Sequence, residues 1–358
     1  MIKESRVQGH YTIFRVALAA AIVFFAFIGI AGAQSQKFQF AAIGDTAYSK
    51  RGEQEFDRMI AVMNREPLAF VVHVGDFEAD PRPYARNPDR ISMPCTDENF
   101  ARVLASFQHS AHPLVLTPGD NDWTDCHLLR ARNVDPLERL AKVREMFFPE
   151  GRSLGQRTMP VISQAKEQGF AKFRENLTWT MNGMVFATLH TVGSNDNLGR
   201  TAEMDAEQSE RKLANIAWMQ KVFATARAPE VRGLVLLTQA NVAFESHWTE
   251  SLKERYVRSA GGRMPKDAEG TAYNALVDAL ATEMESFSKP VLFVHGDTHL
   301  FRVNKPLISK KTRRFFENFT RVEVFGDPET HWVRITVDPS KPELFTIEPE
   351  IILENKAN

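Results

Sequence analysis

The chain has 358 residues, of which 43% are hydrophobic and 25% are charged. These values are typical of a globular protein and exclude a disordered one. A formal net charge of −1 excludes the polycationic surface expected of a nucleic-acid-binding protein. This length can bury a substantial core, and the sequence contains no internal repeat and no low-complexity tract.

The first 33 residues have the three parts of a secretory signal peptide. Basic residues come first, the apolar run Val16–Ile30 follows, and Ala31–Ala33 ends the segment with small residues. We therefore expect residues 1–33 to be removed and residues 34–358 to be exported as one domain, to the periplasm or the medium. The alternative is an uncleaved membrane anchor formed by residues 16–33, because roughly 18 apolar residues can span a bilayer.

The chain has only two cysteines, Cys95 and Cys126. Export would place them in an oxidising compartment, where cysteines form disulfides. We therefore predict a Cys95–Cys126 disulfide, and the alternative is two unrelated buried thiols.

Downstream of Gln34, short apolar runs alternate with stretches of helical periodicity. The predicted strands are Phe38–Ile43, Leu68–Val74, Leu114–Thr117, Val185–His190, Leu234–Thr238 and Val291–Val294. The predicted helices are Glu53–Asn64, Asn99–His109, Pro136–Met146, Ala206–Arg227 and Ala272–Phe287. Such alternation predicts an α/β fold with largely parallel pairing. The period-two pattern from Val322 to Ile347 favours a second sheet or an antiparallel edge.

Glycine–aspartate pairs directly follow four of the predicted strands. These aspartates are Asp45, Asp76, Asp120 and Asp297, and His299 lies two residues beyond the last. In an open α/β sheet the carboxyl ends of the strands line one crevice. We therefore expect these side chains to converge.

Several carboxylates in one crevice repel one another unless a cation neutralises them. Carboxylate and imidazole ligands suit divalent ions such as Mn, Fe, Zn or Mg. Two such ions can clamp a phosphate group and activate a water. The strand-end acids therefore predict a metal site, with two ions as the expected number.

This ordered series resembles the motifs of the calcineurin-like metallophosphoesterases. Their pattern is Gly-Asp-x-His, Gly-Asp-x-x-Asp, Gly-Asn-His-Asp/Glu, a lone His and Gly-His-x-His. The resemblance implies two mixed β-sheets packed as a sandwich and flanked by helices. It also implies that Asp76 bridges two metals, that Asp45 and His299 bind one of them, and that Asp120 binds the other.

The sequence departs from that pattern at most of its histidines. Ala47 stands where the first motif has His, with Tyr48 one step later as a candidate phenolate ligand. The second motif has Ala79 in place of Asp, with Asp80 one step late. Gln239 occupies the position of the lone His, and Asp297 occupies the position of the first His in the last motif. Both residues are therefore among the expected metal ligands.

Asn121 replaces the histidine that would protonate the leaving group in the resembling family. The expected catalytic residues are therefore Asn121 and Asp122 of the third motif, with His190 or His295 as substitute proton donors. The resemblance implies a hydrolase of phosphate mono- or diesters that acts on a small molecule or a phospholipid head group. The alternative is a binding module that keeps the fold but has lost turnover. The sequence identifies no stable protein partner.

Overall fold

Two β-sheets form the centre of the molecule. The structure is a computed structural model. It describes residues 36–78, 95–128, 134–259 and 271–356, all of which belong to one unit, Gln36–Asn358. The predicted signal peptide lies outside the described residues. Within those residues, no helix is both long enough and apolar enough to cross a membrane.

The first sheet has five strands in the order β12-β11-β1-β2-β3. Strands β1, β2 and β3 are parallel, whereas β11 pairs antiparallel with both β1 and β12. Their bounds are β1 (Phe38–Ile43), β2 (Val71–His73), β3 (Leu114–Leu116), β11 (Trp332–Val337) and β12 (Phe345–Glu350).

The second sheet has seven strands in the order β4-β5-β6-β7-β8-β10-β9. Its central strands β6, β7, β8 and β10 are parallel, and β4, β5 and β9 are antiparallel additions at the edges. The bounds are β4 (Ile162–Ser163), β5 (Leu177–Met181), β6 (Met184–Thr188), β7 (Gly233–Leu237), β8 (Val291–His295), β9 (Arg302–Asn304) and β10 (Phe319–Glu323).

The sheets pack face to face because alternate residues of their strands point to opposite sides. In β7, Val235 and Leu237 join an apolar cluster shared with the first sheet, while Leu234 and Leu236 join a second cluster on the outer face. Aromatic rings fill the space between the sheets, as in the edge-on contact of Phe40 with Phe186, whose centroids are 5.6 Å apart. The α/β sandwich expected from the sequence is therefore confirmed.

Helices cover the outer faces of both sheets. The apolar sides of α1 and α2 join the cluster of the first sheet, and those of α5 and α7 join the outer cluster of the second. The helices are α1 (Lys50–Met63), α2 (Asp97–Phe107), α3 (Pro136–Phe147), α4 (Gly193–Asp196), α5 (Ala202–Ala226), α6 (Glu250–Ser259) and α7 (Asn274–Met284). Of these, α4 is a single turn.

Side-chain caps explain where several of these helices begin. Ser49 accepts a hydrogen bond from the Gly52 N–H at the start of α1, and Thr96 accepts one from the Asn99 N–H at the start of α2. These bonds satisfy backbone donors that a helix cannot satisfy itself. Ser49 lies four residues after Asp45, so this cap begins α1 close to the end of β1.

The buried face of α5 differs from the sequence prediction. The helical periodicity of Ala206–Arg227 predicts an apolar face that contains Leu213, yet Leu213 has 63% of its surface exposed. The buried face instead contains Arg211, Asn215, Trp218 and Val222. The prediction was wrong because polar residues occupy this face, where Arg211 and Asn215 bond the backbone oxygen of His190.

Candidate functional site

The four aspartates that follow strands lie at one end of the sandwich, but the strands belong to different sheets. Asp45, Asp76 and Asp120 follow β1, β2 and β3 of the first sheet, whereas Asp297 follows β8 of the second. The expectation that they share the edge of one sheet was therefore wrong. The Asp297 N–H donates to both carboxylate oxygens of Asp45, at 3.0 and 3.1 Å, and so joins the two sheets.

Tight backbone turns place these carboxylates. Asp45, Asp76 and Asp297 have φ values of 52, 55 and 86°, in the left-handed region. Asp and Asn enter that region more readily than other residues with a Cβ atom. The turns end the strands abruptly and direct the side chains across the edge of the sandwich, in a region that we call the acidic crevice (Asp45, Asp76, Asp120 and Asp297).

Both carboxylate oxygens of Asp76 accept hydrogen bonds from neighbouring loops. Its Oδ1 accepts from the Asn121 N–H at 3.0 Å, and its Oδ2 accepts from Gln239 Nε2 at 3.2 Å. The Gln239 Oε1 accepts in turn from the Gly193 N–H at 2.6 Å. Gln239 therefore connects the loop after β2 to the loop after β6 through its carboxamide.

Asp122 holds the loops after β2 and β3 together. Its Oδ2 accepts from the N–H groups of Gly119 and Asp76, at 2.7 and 3.2 Å. Its Oδ1 accepts from the N–H groups of Phe77 and Glu78, at 2.9 and 3.2 Å. Both oxygens of Asp122 thus accept hydrogen bonds from backbone N–H groups. These contacts are typical of a residue that positions the neighbouring loops. The catalytic role expected for Asp122 stays a prediction.

Asp120 is the crevice aspartate with an unused oxygen. Its Oδ2 accepts from the hydroxyl of Ser194 at 2.7 Å. Its Oδ1 is buried and has no hydrogen-bond partner among the described residues. Asp120 Oδ1 and Asp297 Oδ1 each lie 2.7 Å from the point that a Cβ atom on Gly193 would occupy. The two oxygens therefore border one small space, which exists because residue 193 is glycine.

His299 and Tyr48 form one side of the crevice. His299 Nε2 lies 3.7 Å from Asp45 Oδ1, and the other ring nitrogen is 2.7 Å from the Asp327 carbonyl oxygen. The ring centroids of His299 and Tyr48 are 5.5 Å apart. The Tyr48 hydroxyl accepts a hydrogen bond from Asn121 Nδ2 at 3.2 Å. Asn121, which stands where the resembling family has a histidine, and Tyr48, which follows the altered position Ala47, are therefore hydrogen-bonded to each other.

Burial and mutual repulsion dominate the electrostatics of the crevice. Burial raises the pKa of Asp76 well above its usual value, and the charges of Asp120 and Asp45 raise it further. Burial and the charge of Asp297 likewise raise the pKa of Asp45. Burial raises the pKa of Asp120 to about 6. A carboxylate near a cation shows the opposite shift, and no basic side chain of the described part of the chain is among the main causes that act on these carboxyls.

Tyr48 lies in the same negative field. Burial raises the pKa of its phenol well above the usual value, and Asp76 and Asp45 raise it further. The phenol therefore keeps its proton at neutral pH. The phenolate role considered for Tyr48 would require a cation to offset this field.

His190 lies in a buried ion-pair network. Its Nδ1 is 2.7 Å from Glu175 Oε1, and Glu175 pairs with Arg144 at 2.5 Å. Burial lowers the pKa of His190. A neutral, fully buried imidazole is a weak proton donor at pH 7, so the role expected for His190 stays a prediction without a supporting contact.

His295 is also fully buried, at the end of β8. Its Nδ1 lies 2.8 Å from the Gly296 carbonyl oxygen, and its Nε2 lies 3.9 Å from Glu323. Burial lowers the pKa of His295 well below its usual value, and Arg321 and Arg302 lower it further. Glu323 accepts from the Thr298 N–H at 3.0 Å, which fixes the turn between Asp297 and His299. The catalytic role of His295 stays a prediction.

A divalent cation fits the chemistry of the crevice. The donor set is rich in carboxylate oxygens, Asp120 Oδ1 is an unpartnered buried acceptor, and Gly193 leaves space beside it. Within the described ranges, no three His, Cys, Asp or Glu side chains are grouped closely enough to hold an ion as they stand. The carboxylates approach in pairs, so the metal ligands stay a prediction.

Several contacts in the site could not be read from the sequence. Ser194 and Gly193 belong to the polar loop after β6, where residues 194–197 all have positive φ. The sequence signal for this turn is the run of four consecutive Ser, Asn and Asp residues, because such residues tolerate left-handed backbone. The sequence gives no indication that this loop reaches Asp120.

The predicted disulfide is present. Cys95 and Cys126 are bonded, with their Cα atoms 5.8 Å apart. The bond joins the segment before α2 to the short 3₁₀ turn Thr124–His127, which follows Asp120 and Asp122. The prediction of paired cysteines is confirmed.

No protein-family model matches the chain, and no curated protein matches it. The chain is similar to the solved structure of PhoD, with 14% sequence identity and a TM-score of 0.54. The similarity covers 89% of this chain and 69% of PhoD. The shared feature is the fold. At this identity the likeness to PhoD supports the two-sheet architecture and carries no residue-by-residue assignment.

Proposed function

We propose that the chain is an exported, metal-dependent hydrolase of phosphate mono- or diesters. The observation that carries this proposal is the acidic crevice, where buried aspartates repel one another and no basic side chain of the described residues is among the main influences on the pKa of Asp45 or Asp76. Burying such charges costs free energy that structure alone does not repay. The likeness of the fold to PhoD and the resemblance of the motifs point to the same chemistry.

Divalent ions would be held by the crevice aspartates and His299, with Gln239 beside Asp76. When bound, such ions polarise a phosphoryl oxygen and lower the pKa of a water molecule. Oxygen ligands outnumber imidazoles here, which favours hard ions such as Mg or Mn over Zn. We propose two ions, as in the family that the motifs resemble.

Asn121 and Tyr48 would orient the substrate and decide which substrates react. Asn121 can donate a hydrogen bond to a phosphate oxygen but cannot supply a proton at neutral pH. General acid catalysis contributes about 10²–10⁴-fold to such reactions. We therefore expect esters with good leaving groups, such as aryl phosphates, to react much faster than alkyl esters.

A second candidate is a metal-binding module without turnover. The observation that favours it is the state of the histidines: His73, His190 and His295 are all fully buried. Burial lowers the pKa of each of them. With lowered pKa values these imidazoles are neutral at pH 7 and are therefore weak acids for protonating a leaving group.

Export is supported by the disulfide, because such bonds persist in oxidising compartments. A substrate outside the cytoplasm would be a small phosphate ester or a phospholipid head group. The near-neutral sequence charge gives no reason to propose nucleic acid.

The test is hydrolysis of p-nitrophenyl phosphate and bis-p-nitrophenyl phosphate by full-length protein loaded with Mg, Mn or Zn. Metal-dependent release of p-nitrophenol that Asp76→Asn abolishes would support the hydrolase. Stoichiometric metal without turnover would support the binding module. Protein that binds no divalent ion after reloading would contradict both candidates.

A further inference from the structure

A cavity of about 290 Å³ lies between α1 and α2, on the side of the first sheet away from the second. Its inner wall contains Thr46, Ala47 and Phe77, which directly follow the crevice residues Asp45 and Asp76. The crevice aspartates are not among its described lining residues. The cavity is therefore a separate space that shares two loops with the acidic crevice.

Three aromatic side chains, Phe56, Phe77 and Phe107, contribute to the cavity wall together with polar and charged residues. Phe77 and Phe107 meet edge to face with centroids 5.9 Å apart, and Phe56 and Phe107 are 6.1 Å apart. Aromatic rings attract one another at such separations, so this wall favours an aromatic ligand over an aliphatic one.

One buried polar atom in this wall has no partner. The Thr46 side chain is 4% exposed, and its hydroxyl has no hydrogen-bond partner among the described residues. Its backbone N–H is already used by the Asp76 carbonyl oxygen at 3.1 Å. A buried hydroxyl without a partner costs free energy. A ligand with its own hydroxyl or amide group would remove that cost.

The charges at the rim do not favour an anion. Arg102 pairs with Glu53 and also donates to Asn99 Oδ1 at 2.8 and 3.1 Å. Asp57, the other charged carboxyl of the lining, adds negative charge. A phosphate group in the cavity would therefore meet the carboxylates of Glu53 and Asp57 and an arginine, Arg102, that is already paired. The cavity therefore does not duplicate the proposed phosphate site.

We propose that this cavity binds a neutral aromatic molecule of one or two rings whose hydroxyl or amide group bonds Thr46. The volume of about 290 Å³ lies just below the roughly 300–1,000 Å³ range of small-molecule sites, which suits a ligand of that size. The proposal does not depend on the hydrolase.

The probe is 2-naphthol, and its binding to the full chain is measured by calorimetry. Ala105 is exposed on α2 and lines the cavity, so Ala105→Trp should fill it and weaken binding at least tenfold. Ala224→Trp is the matched control, because Ala224 is exposed on α5 over the other sheet. It should bind the probe like wild type, and circular dichroism checks that both variants fold.

Thr46→Val keeps the shape of the side chain and removes the hydroxyl. It should weaken 2-naphthol binding about two- to tenfold, the value of one hydrogen bond. No binding to wild type, or equal binding to Ala105→Trp, would overturn the proposal. A wild-type dimer that Ala105→Trp dissociates in sedimentation would identify a second copy as the occupant and would overturn it as well. No phosphate ester is involved, so failure leaves the proposed hydrolase untouched.

Discussion

Asp76 is the residue on which the crevice is centred. Its pKa responds to the charges of Asp120, Asp45, Asp122 and Asp297, so it lies within electrostatic reach of every other acid in the site. Its hydrogen bonds to Asn121 and Gln239 also connect it to loops from both sheets. We therefore propose Asp76 as the carboxylate that would contact two cations.

We therefore expect Asp76→Asn to reduce bound divalent metal more than Asp297→Asn does. Asparagine keeps the shape and the Oδ1 acceptor but removes the charge that attracts the cation. Mass spectrometry of metal content after reloading and desalting measures the difference. Equal metal content in Asp76→Asn and wild type would show that the assignment of the second motif is wrong.

Asn121→His restores the proton donor that the resembling family has at this position. We expect turnover of phosphate esters with poor leaving groups to rise, by up to about 100-fold, because proton transfer then assists bond cleavage. Asn121→Gln, which cannot supply a proton, is the control. Turnover that is unchanged in Asn121→His, at every pH tested, would show that leaving-group protonation does not limit the rate.

The burial of His73 predicts that the folded protein loses stability in acid. It is fully buried beside Phe107 and Phe56 at the end of β2, and burial lowers its pKa from 6.5 to about 3. Below pH 6.5 the unfolded chain binds a proton that the folded chain does not, so the free energy of unfolding falls as the pH decreases towards 3. The expected loss from this residue is on the order of 3 kcal/mol by pH 4.

Denaturant unfolding between pH 7 and pH 4 measures this dependence. His73→Asn removes the titrating group but leaves an oxygen that can accept the Gly75 N–H now bonded to His73 Nδ1. Its stability should therefore depend less on pH than that of wild type. Identical slopes for wild type and His73→Asn would contradict the argument.

The loop after β6 determines the shape of the crevice at the level of elements. Its single turn α4 has left-handed backbone, with φ values of 51, 55 and 53° at residues 194–196, and Asn197 follows with 68°. Buried Arg211 of α5 stabilises this unusual backbone by bonding the Asp196 side chain and, at 3.0 Å, the Asp196 carbonyl oxygen. α5 therefore fixes the loop that delivers Ser194 to Asp120.

Gly193→Ala tests the close approach of this loop to the aspartates. The added Cβ atom would lie 2.7 Å from both Asp120 Oδ1 and Asp297 Oδ1, closer than such atoms can approach. We expect a loss of about 1–3 kcal/mol in stability, together with weaker metal binding. Chemical denaturation and metal content measure the two effects.

Gly151→Ala is the control for glycine replacement. Gly151 has a φ of 71° but no atom within 4 Å of an added Cβ, so only backbone strain is expected there, and metal binding should not change. If Gly193→Ala binds metal as wild type does, the space beside Asp120 is not used by the cation.

At the scale of the whole molecule, the sequence predicts strands better than it predicts which sheet they join. The apolar runs ending in Asp45, Asp76 and Asp120 became β1, β2 and β3, although β2 is confined to Val71–His73. Local hydrophobicity cannot place β8 beside β7 and β10, because sheet membership depends on contacts between distant segments. The sequence therefore predicted a site at the edge of one sheet, whereas the strand-end aspartates come from both sheets.

The sequence also could not distinguish the roles of neighbouring polar residues. Asp120 and Asp122 follow the same strand, but one points an unpartnered oxygen towards Gly193 and the other accepts four backbone N–H groups. The difference arises from the turn geometry of the loop after β3, which the residue types do not encode individually. Arg211 on α5 is a similar case, since its burial depends on the Asp196 loop.

The disulfide links the acidic crevice to the stability of the whole molecule. It connects the start of α2 to the turn after Asp122, across 31 residues of sequence. Closing a loop of this size stabilises a protein by about 3–4 kcal/mol, mainly by limiting the unfolded chain. We expect Cys126→Ser to lower the free energy of unfolding by that amount.

Urea unfolding with and without dithiothreitol measures the contribution. Reductant should destabilise wild type to the level of Cys126→Ser and leave that variant unchanged, because it has no bond to reduce. The loop that holds Asp120 and Asp122 is tethered at this point, so reduction should also weaken metal binding before the protein unfolds. Metal content that stays constant in the reduced, folded protein would show that the Asp122 hydrogen bonds alone hold the loop in place.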